Sequence, residues 1–322
     1  MTTALVYGWY GRGNIGDELM RQALVGMFKP RGVTLSFVGH ITEGYLTDVE
    51  TGEYVNGVIF GGGSILYGEP AITPEALDVL LSGQIPVFYI GVGAETEVHP
   101  IHRKLMAIAQ VVAIREQDMP DLVLSLPGVE RHPDVTPNGI LVVPNVETVP
   151  TWKDPHWKHV AWEHFKDEFS QVLDYFVDLK IPTTFLLSCS NSSQEDAWAA
   201  GEILSRMARR GNLARNIFRC SLEDASETLK LMQFHQVVVT QRYHGIILSE
   251  LAGVPYISID HHDKLKNATP SRGTHISFYG SYKAQMIAAI EDSMSTSIEP
   301  HRAPKQVFDD LADRVVDIMG RK

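Results

Sequence analysis

The sequence is short of several things, and each shortage excludes something. Only 2 cysteines occur in 322 residues, Cys189 and Cys220. Neither has the close partner that a structural zinc site or a disulfide framework needs, and a reduced, cytoplasmic chain is the simplest expectation. No apolar run approaches the roughly 20 residues of a bilayer span, so no transmembrane segment is expected. The start, Met1 to Trp9, lacks a basic flank and a cleavage pattern and reads as a strand, not an export signal. Positive charge is also scarce. Lys and Arg number 28 against 39 Asp and Glu, a net charge of −11. That argues against nucleic acid as a partner, while leaving room for a local basic pocket around a small anion. Low-complexity segments and readable internal repeats are missing as well.

What is present is ordinary globular composition, with 44% hydrophobic and 21% charged residues, in a chain long enough for two cores. Short β-branched runs alternate with helical patterns. Strands are expected near residues 3–9, 34–38, 57–60, 87–90, 111–114, 140–143, 183–187, 237–239 and 256–259, with helices between most of them. This alternation predicts parallel sheets covered on both faces. Pro133, Pro137, Pro144 and Pro150 interrupt the pattern, which places a domain boundary near 139/140. The expected organisation is an N-terminal domain over 1–139, a C-terminal domain over 140–300, and a final helix in 301–322 that packs back on the first domain.

One stretch anchors the functional reading. The buried run Val237-Val238-Val239 leads through Thr240-Gln241-Arg242 into a helix with Ile247, Leu248, Leu251 and Ala252 on one side, stopped by Gly253 and Pro255. Arg242 and His244 then sit at the carboxyl end of a strand and the amino end of a helix, where open α/β sheets bind ligands and helix dipoles favour anions. A histidine there is disfavoured as a cation when the site is empty and favoured when a dianion arrives, which suits a general acid. Arg115 ends the strand at 111–114. It reads either as a clamp on a carboxylate or phosphate, or as a structural arginine paired with Glu116 or Asp118. Gly61-Gly62-Gly63-Ser64 and Gly91-Val92-Gly93 follow two further strands, as glycines do where backbone approaches a ligand. Gly11-Arg12-Gly13-Asn14-Ile15-Gly16 fits the dinucleotide fingerprint formally. The second strand, however, ends in Val38-Gly39-His40 without the ribose-binding acid, and Asp17 and Glu18 would repel a pyrophosphate. A nicotinamide or flavin is therefore not expected. Asp260-His261-His262-Asp263 has adjacent side chains that diverge, so no metal is expected there. The Trp- and His-rich segment from Trp152 to His164 reads as sugar-stacking aromatics or as a helix with an aromatic core face.

Taken in order, Asn14-Ile15-Gly16-Asp17, Gly61-Gly62-Gly63-Ser64, Ile114-Arg115-Glu116, Asp134, Arg242-Tyr243-His244-Gly245, Gly253-Val254-Pro255 and Lys264 resemble the polysaccharide pyruvyl transferase family. The resemblance implies an α/β fold of two Rossmann-like domains whose parallel sheets face across a cleft, the GT-B architecture. It implies transfer of the enolpyruvyl-derived group of phosphoenolpyruvate to sugar hydroxyls of a polysaccharide or glycan precursor. The product is a pyruvate ketal, and phosphate is released. The residues suit that chemistry: a donor with a carboxylate and a phosphate needs cations and amide donors. The expected catalytic residues are His244 and Arg115. Asn14, Asp17, Gly62, Gly63, Ser64, Arg242 and Lys264 are the expected substrate-binding residues, with no cofactor and no metal. The expected partners are phosphoenolpyruvate and a sugar or glycan acceptor, with lipid linkage of the acceptor left open. Two alternatives stay open: a nucleotide-sugar glycosyltransferase on the same fold, and a non-catalytic binder of glycans or anions.

Overall fold

A computed structural model describes residues 2–47, 54–93, 97–130, 136–145, 155–190, 196–209, 217–221, 225–260, 263–268, 272–278 and 283–321. The chain divides into two compact units. Unit 1 comprises Met1–Arg12, Gly16–Leu126 and Ala303–Lys322; unit 2 comprises Gly13–Ile15 and Pro127–Arg302.

Unit 1 is built on strands β1 (Thr2–Tyr7), β2 (Val33–Val38), β3 (Gly57–Gly61), β4 (Val87–Val92) and β5 (Val111–Ile114). They pair in parallel in the order β2-β1-β3-β4-β5. Every residue of β3 and β4 is buried. That is why these strands read as continuous apolar runs: a parallel strand is covered on both faces. Helices α1 (Ile15–Phe28), α2 (Glu43–Leu46), α3 (Pro74–Leu81) and α4 (Pro100–Ile108) connect them. The order reverses at β1, whose neighbours are β2 on one side and β3 on the other. Such a switch point opens a crevice at the carboxyl ends of the strands.

Unit 2 contains β6 (Ile140–Val143), α5 (Pro155–Asp178), β7 (Thr183–Leu187), α6 (Asp196–Arg206), β8 (Ile217–Arg219), α7 (Ala225–Gln233), β9 (Val237–Thr240), α8 (Tyr243–Ala252), β10 (Tyr256–Asp260), α9 (Asp263–Lys266), β11 (Thr274–Ser277) and α10 (Lys283–Met294). Its sheet runs β11-β10-β9-β6-β7-β8, with parallel pairings throughout. Here the switch point is β6, flanked by β7 and β9. Helix α8 is buried along almost its whole length, and Gly253 closes it in the left-handed conformation at φ 68°, where glycine carries no Cβ penalty. Gly245 lets α8 close on β9, because any Cβ there would collide with the Thr240 side chain.

The last helix, α11 (Lys305–Gly320), belongs to unit 1. Its buried residues Phe308, Ala312, Val315 and Met319 form one stripe at the spacing of an amphipathic helix. Arg31 ties it down through Asp313 at 2.5 Å and Asp309 at 2.9 Å. Two strands escaped the sequence reading. All three residues of β8 are exposed, and only Ile276 of β11 is buried, so neither shows an apolar run.

Candidate functional site

In unit 2 the strand ends that flank the switch point carry charge. Strand β9 ends at Thr240, whose hydroxyl accepts the Arg242 N–H at 3.0 Å and donates to the Arg242 carbonyl at 3.1 Å. That short loop sets Arg242 as the N-cap of α8 and leaves His244 in its first turn, half-buried, with its ring edge-on to Tyr243 at 5.1 Å. The Arg242 guanidinium is directed by Asp196, the first residue of α6. Its Nε–H donates to Asp196 Oδ1 at 3.2 Å, and Nη2 makes a second bond to the same oxygen. The other carboxylate oxygen accepts from the Ser188 N–H and hydroxyl, both at 2.8 Å, and from the Cys189 N–H at 2.9 Å. Asp196 is fully buried, and 12% of the Arg242 side chain is exposed. Burial pushes the Asp196 carboxyl above its usual range, and the Arg242 charge and the Ser188 donors pull it back.

The same strand end holds the segment 13–15. Ile15 N–H donates to Ser188 O and Ser190 N–H to Gly13 O, both at 2.9 Å, and Asn14 forms a bridge with Cys189. Of the sequence-derived residues, Asn14 therefore lies at the β7 end and Arg242 and His244 follow β9, and Asp196 bonds both the β7 end and Arg242. Nothing in the sequence singles out Asp196, which is 46 residues from Arg242. The backbone of Lys264 lies in α9, one connection beyond β10. Asp134 lies outside the described residues.

In unit 1 the glycine-rich strand ends also come together. Gly62 and Gly63 take φ of 68° and 72°, which ordinary side chains resist. The β3 and β4 ends are joined by Gly62 N–H to Ile90 O at 3.1 Å and Gly93 N–H to Gly63 O at 2.9 Å. The Gly63 N–H points at Met20 Sδ, 3.2 Å away. These three glycine amides thus serve unit 1 itself. Asp17 stands against Gly63, where an added Cβ would lie 3.0 Å from Oδ1. Tyr10 donates its hydroxyl hydrogen to Gly61 O at 2.5 Å. Burial, then the Asp17 and Glu18 charges, hold its phenol well above the ordinary value. Beside this cluster, at the switch point, is a hollow of about 160 Å³ whose lining includes Trp9, Arg12, Ser64, Tyr67 and Glu69. Trp9 is 43% and Tyr67 62% exposed, and the Arg12 guanidinium lies 4.3 Å from the Trp9 ring centre.

Arg115 is placed differently from its neighbours in the sequence argument. Only 5% exposed, it donates from Nη1 to Asp121 Oδ2 at 3.1 Å. Asp121 is fully buried and also accepts the Val123 N–H at 2.8 Å. The Asp118 carboxylate instead accepts the Ile114 N–H at 2.9 Å. Of the Trp- and His-rich segment, Trp152 lies outside the described residues and the part from Pro155 opens α5, where Trp162 is buried and stacked on Phe165 at 5.5 Å. At Trp162 the aromatic face is core. Among the described residues, no three His, Cys, Asp or Glu side chains gather as metal ligands would, and no helix is long and apolar enough to cross a membrane.

Two parallel-sheet α/β units, each with its polar residues at the carboxyl ends of the strands around a switch point, define the GT-B class of fold. Solved structures agree. The chain resembles UDP-GlcNAc 2-epimerase from Methanocaldococcus jannaschii (TM-score 0.57, 11% identity, all of both chains covered) and the same enzyme from Neisseria meningitidis bound to UDP-GlcNAc (0.55, 9%, all of both chains). It also resembles MurG from Acinetobacter baumannii (0.50, 12%, all of both chains). At these identities the likeness concerns the fold alone. No curated protein matches the sequence. The model of the polysaccharide pyruvyl transferase family matches residues 14–263, and the chain belongs to that family of transferases.

Proposed function

We propose that this protein transfers the enolpyruvyl-derived group of phosphoenolpyruvate to hydroxyls of a sugar acceptor, forming a pyruvate ketal and releasing phosphate. The observation that supports this reading best is the start of α8. A guanidinium held by Asp196 and an imidazole two residues on stand at one helix amino end, whose dipole favours a small dianion. Arg242 grips the donor, oriented by Asp196. His244 protonates the methylene carbon, leaving an oxocarbenium-like centre for the acceptor hydroxyl to attack. Lys264 supplies further positive charge, and Arg115 acts on the donor from its buried pair with Asp121. Asn14, Asp17, Gly62, Gly63 and Ser64 belong to the substrate-binding surface. The exposed rings of Trp9 and Tyr67 suit the apolar face of a pyranose, which makes the unit 1 hollow the acceptor side. The acceptor is a sugar or glycan, free or lipid-linked, and the location is cytoplasmic.

Phosphate release from phosphoenolpyruvate with a panel of sugars tests the reading. The parent should release phosphate only when a suitable sugar is present. His244→Ala should lose most of that turnover while donor binding falls less; turnover within threefold of the parent removes His244 from the role. Thermal stabilisation by a nucleotide sugar, with none by phosphoenolpyruvate, would favour glycosyl transfer instead.

A further inference from the structure

Besides Arg242 and His244, unit 2 holds a second polar cluster at its strand ends. Asp260 ends β10, and both of its carboxylate oxygens face His275 Nδ1 on β11, at 3.2 and 3.0 Å. Ser258 donates its hydroxyl hydrogen to Asp260 Oδ1 at 2.6 Å. Asp260 is 2% and His275 22% exposed at the side chain. A carboxylate only accepts, so in this pair His275 donates from Nδ1.

The register of the sheet sets this pair beside the candidate site. Thr240 is directly opposite Ser258, and Ser258 is directly opposite His275. Neighbouring strands lie about 4.8 Å apart, so His275 is about 10 Å along that row from the residue at which the Arg242 loop begins. The side chains also share a face. Thr240 meets α8 at Gly245, and Ser258 and Asp260 alternate with Ile257 and Ile259, which turn to the opposite core with Ile276. From β10, Asp260 and the Tyr256 ring, 6.4 Å centre to centre, face His275. From α8 the nearby charge is Glu250, which is engaged by Arg272.

We propose that His275, held by Asp260, is the base that takes the second acceptor proton. The inference rests on the pyruvyl-transfer reading. Ketal formation consumes two hydroxyl protons. One replaces the proton that His244 gives to the methylene carbon. The carbon–oxygen bond to phosphate then breaks, its electron pair leaving with the phosphate, while the second hydroxyl forms the second bond to carbon. That hydroxyl's proton goes to His275 Nε2 and on to the departing phosphate, so two hydroxyl protons end as one methyl hydrogen and one phosphate proton. A single imidazole would have to serve both hydroxyls in turn; two imidazoles divide the work.

The test is sugar-dependent phosphate release by the full chain. His275→Gln should lower turnover about 100-fold or more, with the thermal shift caused by phosphoenolpyruvate unchanged. Free imidazole should restore part of the turnover to His275→Ala, which a purely structural histidine would not allow. Asp260→Asn should lower kcat about tenfold while the thermal shift caused by phosphoenolpyruvate is unchanged, because the amide no longer fixes the ring as the carboxylate does. An active parent whose His275→Gln variant keeps turnover within threefold, or whose Asp260→Asn variant keeps the parental kcat, overturns the role of the dyad alone. A parent that releases no phosphate with any acceptor overturns the pyruvyl-transfer reading, and the dyad with it.

Discussion

Replacing Asp196 probes whether the switch point of unit 2 is organised as described. The carboxylate takes three donors from the β7 end on Oδ2 and two guanidinium bonds on Oδ1. Asp196→Ala removes the carboxylate paired with a mostly buried guanidinium and should cost about 3–5 kcal/mol. Asp196→Asn keeps an oxygen for Ser188 and Cys189 but turns an amide donor toward Arg242. The loss is then mainly the charged bonds, about 2–3 kcal/mol. Urea unfolding followed by tryptophan emission reads the effect in the right place: Trp152, Trp157, Trp162 and Trp198 all belong to unit 2, and only Trp9 belongs to unit 1. Crossing Asp196→Asn with Arg242→Met should reveal a coupling of about 2 kcal/mol, since the second replacement costs less once the first has broken the pair. Additive losses, with a coupling below about 0.5 kcal/mol, would refute the claim that Asp196 holds Arg242. On the functional side, Asp196→Asn should raise the concentration of phosphoenolpyruvate needed for half-maximal turnover by about tenfold, the equivalent of about 1.4 kcal/mol of lost donor binding.

Acid should weaken unit 1 through His102. Burial, and then the His99 charge, lower its pKa from 6.5 to about 4, so protonation favours the unfolded chain. The stability is present above pH 6.5 and drains as pH falls toward 4, by about 3 kcal/mol. His102→Gln should lose about that much less between pH 7 and 4 in urea titrations, and equal losses in parent and variant would contradict it. Trp9→Ala and Tyr67→Ala should each raise the acceptor KM several-fold while phosphoenolpyruvate still protects the protein from heat; unchanged acceptor KM in both would remove the hollow from the acceptor side. Arg115→Ala should cost about 3 kcal/mol by removing the cation paired with the buried Asp121 carboxylate, and it should weaken donor binding. An unchanged donor Kd in the folded variant confines Arg115 to a structural role.

Much of this fold was legible because parallel strands are buried on both faces. Val111–Ile114 and Ile140–Val143 appear as unbroken apolar runs for that physical reason. The same logic hides β8 and β11, whose residues mostly face solvent and carry no such run. At the site, Arg242 and His244 were legible from their place between an apolar strand and a helix. Their supporting residues were not. Asp196 looks like any acidic helix start, and its value comes from a tertiary bond 46 residues away. Asp260 seemed part of an acidic and histidine-rich loop, but its side chain turns back into β10 and finds His275 on a strand that the sequence did not reveal.

The glycine-rich loops make the complementary case. In the sequence they read as places where backbone approaches a ligand, and Gly62, Gly63 and Gly91 do adopt positive φ. Yet the packing is largely internal: the amides of Gly62 and Gly93 bond carbonyls of the neighbouring strand end, and a Cβ at Gly91 would strike Leu122. Glycine at these positions therefore answers first to the geometry of two adjacent strand ends. What those rigid ends then present outward is the surface beside them, Ser64 and the exposed rings of Trp9 and Tyr67. In unit 2 the order is the same, since the Asp196 bonds fix the backbone at Ser188 and Cys189 before they orient Arg242. In both units the polar groups proposed to meet substrate are carried by backbone that is already satisfied, and that pre-organisation is what lets a small anion be held without reordering the loops around it.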